Sequence, residues 1–390
     1  MTTPLRLFAD AHVFDQEYQG SRTFIKELYS RLALKPGLKI FLGAYDIENL
    51  AKEFGSVPNI NYIKYKRRSS IRRLLFNLPA ILQEWGIDWA HFQYMVPPVK
   101  KCRYIVTTHD VIFEDYPEEF TRSYRLTKKL LYRHGARLAD ILTTVSSFSQ
   151  RSIEKHLGIE KGKTLIIPNG VSEKFYATFD KQKSKTQIAL KYGIDRSILY
   201  VSRFEPRKNH AALLKAWTDL ELYKQGIWLV LLGHRSLRVE NFDRMMQELP
   251  ENIRSYIYIN DSVDDDDLLD FYRAADLFVY PSKAEGFGIS PLEAAALKVP
   301  VICSNTSAMS EFTFFNKGHI NTSDPELLKK TIAQMLLDPP SMQELTNISE
   351  KIIHDFSWDD AADKFYHQLL QQKIVTSIPK LVHNDQLPVS

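Results

Sequence analysis

The chain has 390 residues, 44% of them hydrophobic and 25% charged, with a formal net charge of +4. That length predicts two domains, each able to bury its own core, and the composition is that of a folded globular protein. So small a net charge makes no demand for nucleic acid, two distant cysteines (Cys102 and Cys303) exclude a disulfide framework or a cysteine metal site, and no run of about 18 apolar residues spans a membrane. The opening Met1-Thr-Thr-Pro-Leu-Arg-Leu-Phe-Ala-Asp10 reads as a first strand. It has neither the charged lead nor the apolar length of a signal peptide, so a cytoplasmic location is expected.

Short β-rich apolar runs alternate with helical patterns, which predicts βαβ units and parallel sheets. In the first half, strands are expected near Leu5–Ala9, Lys39–Ala44, Asn61–Tyr65, Trp89–Phe92, Tyr104–Thr108, Ile141–Val145 and Leu165–Ile167. Helices are expected over Ser21–Leu34, Ile71–Trp85, Ser123–Arg137 and Ser147–Leu157. Polar Thr178–Lys185 reads as an interdomain linker. A second series follows, with strands at Ile198–Val201, Trp228–Leu232, Tyr256–Ile259, Leu277–Tyr280 and Val299–Cys303. A helix over Asn209–Leu222 has Asn209 as a candidate N-cap, Asp359–Leu370 is a last helix, and 376–390 reads as a loosely held tail. Two doubly wound domains facing each other across a cleft are the expected architecture, the first over 1–178 and the second over 179–357.

The segment Pro281-Ser-Lys-Ala-Glu-Gly-Phe-Gly-Ile-Ser-Pro-Leu-Glu293 sets Glu285 and Glu293 eight positions apart on a strand-to-helix corner. Parallel α/β sheets bind ligands at such corners. Gly286 and Gly288 permit close backbone approach, and a helix start offers N–H groups to an anion. Glu285 lies in the loop, where a carboxylate suits bidentate bonding to vicinal hydroxyls. Glu293 has a second reading, because Ser290-Pro-Leu-Glu293 is also a capping box with Ser290 as N-cap. Val201-Ser-Arg-Phe-Glu-Pro-Arg-Lys-Asn209 places Arg203 and Lys208 in another such corner, able to clamp a diphosphate or simply to form a solvated basic loop. Glu285 and Lys208 are both expected to face solvent, so that replacing either leaves stability nearly intact.

His109 and Asp110 follow the strand Tyr104–Thr108, where doubly wound sheets place functional groups; the alternative is a pair of loop caps. Gly20 offers backbone approach ahead of the first helix, although no G-x-G-x-x-G follows the first strand. The run Asp264–Asp267 is better explained by a helix dipole than by a metal. Two segments, 64–73 and 122–137, concentrate Lys and Arg without an acid. They read either as solvated faces or as basic amphipathic surfaces for an anionic membrane.

At these residues the chain resembles the GT4-type retaining glycosyltransferases, which have the GT-B fold. The resemblance runs through Gln19-Gly-Ser-Arg-Thr-Phe-Ile-Lys-Glu-Leu28, Thr107-Thr-His-Asp-Val111, Ala139–Ser149, Ile167-Pro-Asn-Gly-Val171, Arg203 with Lys208, Glu285–Glu293 and Phe356-Ser-Trp358. It implies a nucleotide-sugar donor held by the second domain and an acceptor held by the first. Glu285 would hold the donor sugar's hydroxyls and Glu293 the ribose. Arg203 and Lys208 would stabilise the departing diphosphate, assisted by amides around Phe287, Gly288 and Ile289, with Gly20 a further backbone contact and His109 near the sugar. The resemblance also implies retention of configuration by front-face attack, no bound metal or other cofactor, and a closing helix over 358–375 that crosses back to the first domain. Lys298 departs from the pattern where many relatives have glycine, and Gly20 lacks a second glycine nearby.

The expected function is a retaining hexosyltransferase, with GDP-mannose a candidate donor. A glycan or lipid-linked glycan of bacterial surface polysaccharide synthesis is the expected acceptor, and the inner face of the cytoplasmic membrane the expected location. His91-Phe-Gln-Tyr-Met-Val-Pro-Pro98 and Cys303-Ser-Asn-Thr-Ser307 look like those of polysaccharide-assembly enzymes, often mannosyltransferases. Two rivals are a nucleotide-sugar 2-epimerase of the same fold, which needs no acceptor, and a catalytically silent sugar-nucleotide-binding protein.

Overall fold

A computed structural model describes residues 3–15, 20–55, 57–66 and 69–377. The first sheet contains β1 (Leu5–Asp10), β2 (Leu38–Ala44), β3 (Ile60–Lys64), β4 (Trp89–Gln93), β5 (Arg103–Thr107), β6 (Ile141–Thr144) and β7 (Thr164–Ile166), in the order β3-β2-β1-β4-β5-β6-β7. The second contains β8 (Arg196–Val201), β9 (Ile227–Leu232), β10 (Ile257–Asn260), β11 (Leu277–Tyr280), β12 (Val301–Ser304) and β13 (His319–Ile320), in the order β10-β9-β8-β11-β12-β13. Neighbouring strands are parallel in both.

Strand alternation sends side chains to two apolar layers. Leu7 and Ala9 of β1 join Phe24, Leu28, Leu50 and Phe365 on one face, while Phe8 joins Leu78, Tyr132 and Ile153 on the other. Helices cover both faces, as a parallel sheet requires. Strand order reverses between β1 and β4 and again between β8 and β11. These switch points open crevices beyond the strands' carboxyl ends. The segments 202–208 and 281–289 flank the second crevice.

Several expectations need correction. Thr178–Lys185 is not a linker throughout: Asp180 caps a helix at Lys181–Tyr192, accepting from the amides of Gln182 and Lys183. The helix expected over Ile71–Trp85 is present as one helical run over 70–84, but with a π-helical stretch, Arg73–Asn77, inside it. Arg73 turns inward there to Asp10, at 3.4 Å. Asn209 occupies the N-cap position of His210–Asp219 but its side chain makes no cap bond, its backbone being left-handed. β13, with two residues, is too short for any periodicity to register. Asp264 caps the helix Asp265–Ala274, as its acidic first turn suggested. Lys298 has φ 59, the conformation that favours glycine, so the departure at this position carries backbone strain of about 1 kcal/mol.

The helix Trp358–Ser377 packs on the first domain's helix Gly20–Leu32, with Arg31 Nε 2.8 Å from Asp359 and the Tyr366 hydroxyl donating to Pro36 O at 2.7 Å. Trp358 is buried against Phe24 and fills the space beside Gly170, leaving no room there for a Cβ. The tail expected at 376–390 lies, from 378 onward, outside the described residues.

Candidate active site

Beyond β8, Pro206–Lys208 forms a single 3-10 turn that throws Arg207 and Lys208 towards the loop after β11. Lys208 Nζ lies 2.5 Å from Glu285 Oε1 and 3.2 Å from the Tyr280 hydroxyl, which itself donates to Glu285 Oε1 at 3.0 Å. Arg207 reaches Glu285 Oε2 at 3.2 Å, Ala284 O at 2.6 Å and Glu205 Oε2 at 2.8 Å. Glu285 and Lys208 are each only 7% exposed, contrary to the expected solvent-facing loop. Neither segment is buried by its own sequence; each covers the other. Burial alone would raise the Glu285 pKa, but Lys208 and Arg207 outweigh it and hold the carboxyl at about 2. The Glu285 backbone is pinned as well: its N–H donates to Ser307 Oγ at 2.9 Å and its carbonyl accepts from Ala308 N at 3.2 Å. Ser307 holds that position with a strained φ of 53.

Gly288 is the N-cap of the helix Ile289–Ala296, with φ 93, and a Cβ there would fall 2.9 Å from Met309 Cγ. The capping box is therefore absent: Ser290 and Pro291 are already helical, and Glu293 lies more than a turn in. Instead the partly buried Glu293 accepts from the Tyr272 hydroxyl at 3.0 Å. Burial raises its pKa to about 7 against the opposing pull of Tyr272 and Lys174. Phe287 is buried, edge-on to Phe312 and Phe356. The amides of the helix's first turn lack intrahelical carbonyl partners, which suits them to an anion.

On the facing domain, His109 Nε2 lies 2.8 Å from Gln93 Oε1, a bond in which the ring N–H donates. Phe24 packs edge-on at 5.0 Å, and burial lowers the imidazole pKa to about 4, leaving it neutral at physiological pH. Asp110 abuts Gly286, where an added Cβ would lie 2.7 Å from its own Cβ. Burial raises the Asp110 pKa, opposed chiefly by Arg207 across the crevice. Gly20 opens the helix Gly20–Leu32 at an exposed position, with nothing among the described residues within 4 Å of an added Cβ. Gln19, the first residue of that motif, lies outside the described residues.

The structure thus joins Lys208 to Glu285 directly. Arg203 stands apart: its Nε donates to Ser236 Oγ at 2.6 Å, and among the described residues it connects to Glu285 through Glu205 and Arg207. Arg207 was missed by sequence reasoning. Its signal was present, since Pro206 starts a tight turn in which neighbouring cations can converge. Tyr272, Tyr280 and Ser307 were also missed, because nothing local distinguishes a tyrosine or serine that bonds a carboxylate from one in a core.

The description "Glycosyltransferase Family 4" matches residues 19–175 and "Glycosyl transferases group 1" matches residues 181–352, together most of the chain. The serotype-specific mannosyltransferase WbdA of Escherichia coli is 28% identical over 229 residues, 57% of this chain and 28% of that protein. The chain therefore spans less than a third of that relative. The O-antigen chain mannosyltransferase B of Escherichia coli is 26% identical over 363 residues, covering 87% of this chain and 93% of the relative. Among solved structures, Anabaena Alr3699/HepE in complex with UDP and glucose superposes with a TM-score of 0.72 at 15% identity, covering 94% of this chain and 100% of that one. The chain belongs to the group 1 and family 4 glycosyltransferases, and its two facing parallel α/β domains are their GT-B fold.

Proposed function

We propose that this glycosyltransferase transfers a hexose, mannose foremost, from a nucleotide-sugar donor to a glycan or lipid-linked glycan acceptor in surface polysaccharide synthesis, with retention of configuration. The observation that carries the reading is the buried Lys208–Glu285–Arg207 cluster at the β8/β11 switch point, beside a helix start. An ionised Glu285 can accept bonds from donor-sugar hydroxyls. Lys208, Arg203 and the amides of Phe287, Gly288 and Ile289 would meet the diphosphate and neutralise charge as it leaves. Those fixed charges do work that a divalent metal does in other transferases, so the reading invokes neither metal nor cofactor. Glu293 would hold the ribose. Neutral His109 would face the sugar from the acceptor side, and Gly20 would let the acceptor-side backbone approach the phosphates. The two mannosyltransferase relatives support mannose, and the neighbour holding UDP and glucose supports a nucleotide-sugar donor.

The reading places the enzyme on the inner face of the cytoplasmic membrane. Among the described residues no helix is long and apolar enough to cross a membrane. Two surface elements of the first domain do carry exposed apolar side chains among cations, Ile71 and Phe76 in one and Leu126 and Leu130 in the other. A panel of GDP- and UDP-sugars, with calorimetric binding and product NMR, tests the assignment. We expect donor-dependent transfer, with GDP-mannose preferred and the anomeric configuration kept. Epimer formation without acceptor, or binding with no turnover on any acceptor, overturns it.

A further inference from the structure

The helix Ser147–Leu157 of the first domain points its N-terminus at the loop that carries Glu285 in the second. Ser146 caps it, accepting from Ser149 N at 3.0 Å. Both hydroxyls then donate to one atom across the domain boundary, the carbonyl oxygen of Gly286, at 2.7 Å from Ser146 and 3.0 Å from Ser149. Both serines are buried, at 4% and 0% exposure. The Phe148 amide is also taken up by the second domain, through Glu311 Oε1 at 2.9 Å. Asp110 occupies the place a Gly286 side chain would need.

These contacts have a geometric consequence. In a trans peptide the C=O and the following N–H point in opposite directions. Holding the Gly286 carbonyl against the Ser147–Leu157 helix therefore aims the Phe287 N–H away from that helix. Glu285, one residue earlier, is already pinned at both backbone groups. We propose that Ser146 and Ser149 are positioning residues: the first domain uses them to set the orientation of the Gly286–Phe287 peptide, and with it the loop amides that meet the departing diphosphate. The inference rests on the functional reading above for its catalytic consequence. Transfer then depends on contact between the domains even where donor binding, made largely within the second domain, does not.

The test uses the full chain with Ser149→Ala, the double Ser146→Ala/Ser149→Ala, and Ser146→Thr, which keeps both hydroxyl and cap. We measure kcat, donor affinity by calorimetry, and amide hydrogen exchange over residues 284–289. The alanine variants should lower kcat by about tenfold or more, leave donor affinity unchanged and speed exchange at Phe287, while Ser146→Thr stays near wild type. Unchanged exchange in the double variant overturns the proposal, as does donor affinity falling in step with kcat. If the wild-type chain transfers no sugar at all, the functional reading fails, and the exchange measurement still decides whether the serines hold the loop.

Discussion

Glu285 is ionised inside the protein because Lys208 and Arg207 reach it, and its charge in turn offsets part of the cost of burying both cations. Removing one partner of such a buried pair leaves the other without a counter-charge, typically at about 3–5 kcal/mol. Arg207 keeps Glu205, so Glu285→Ala should cost about 3 kcal/mol by urea denaturation as well as abolishing transfer. The double Glu285→Leu/Lys208→Met should regain much of that stability without regaining activity. A single Glu285→Ala variant as stable as wild type contradicts the buried-pair account. The sequence showed that a carboxylate sits in this loop; its burial depended on a segment about eighty residues away and left no local trace. Glu293 makes a pH-dependent case. Its folded pKa of about 7 stands above the ordinary value of 4.5, so the protonated form is favoured by the fold. That contribution to stability is full below the ordinary value and is lost as pH rises through about 7. Ribose hydroxyls bond an ionised carboxylate more strongly than a protonated one, so donor affinity should rise between about pH 6 and pH 8, and Glu293→Gln should flatten that profile in calorimetry. A wild-type profile as flat as the variant's excludes Glu293 from the donor site.

Elements were legible where periodicity alone determines them. Buried parallel strands read as short apolar runs, and twelve of the strands fall within two residues of their expected positions. What failed was polarity as a guide to disorder. Thr178–Lys185 looked like a linker because it is charged, yet a single Asp180 cap and a surface helix accommodate those lysines. The basic segment 64–73 was read as one charged surface, but Arg73 is buried on Asp10; Arg67 and Arg68 lie outside the described residues. The helix Arg122–Leu138 keeps its surface character: Leu126 and Leu130 are 65% and 68% exposed, one turn apart, beside Lys128 and Lys129. Leu126→Ser/Leu130→Ser should therefore weaken sedimentation with phosphatidylglycerol vesicles while leaving the melting temperature unchanged, since exposed leucines contribute little to folding. Binding that ignores both this variant and lipid charge removes the membrane reading.

At the scale of the whole molecule, the chain crosses between domains twice, and the two crossings touch. Val171 N donates to Phe356 O at 2.8 Å where the first domain gives way to the second and the second returns. Trp358 closes this junction, its ring 5.9 Å from Phe24, which stands edge-on to His109 at 5.0 Å. The return crossing thus supports the wall behind a proposed active-site imidazole, although Trp358 is far from His109 in sequence. Trp358→Ala should cost about 3–5 kcal/mol through the cavity it leaves. It should also lower kcat, because Phe24 can then relax away from His109. Donor affinity should survive, since the Glu285 cluster and Glu293 belong to the other domain. Trp358→Phe should recover most of the stability and the rate. Scanning calorimetry with and without nucleotide, alongside steady-state kinetics, separates these effects. Loss of donor affinity equal to the loss of kcat would mean that the junction holds the second domain together rather than backing the first domain's imidazole.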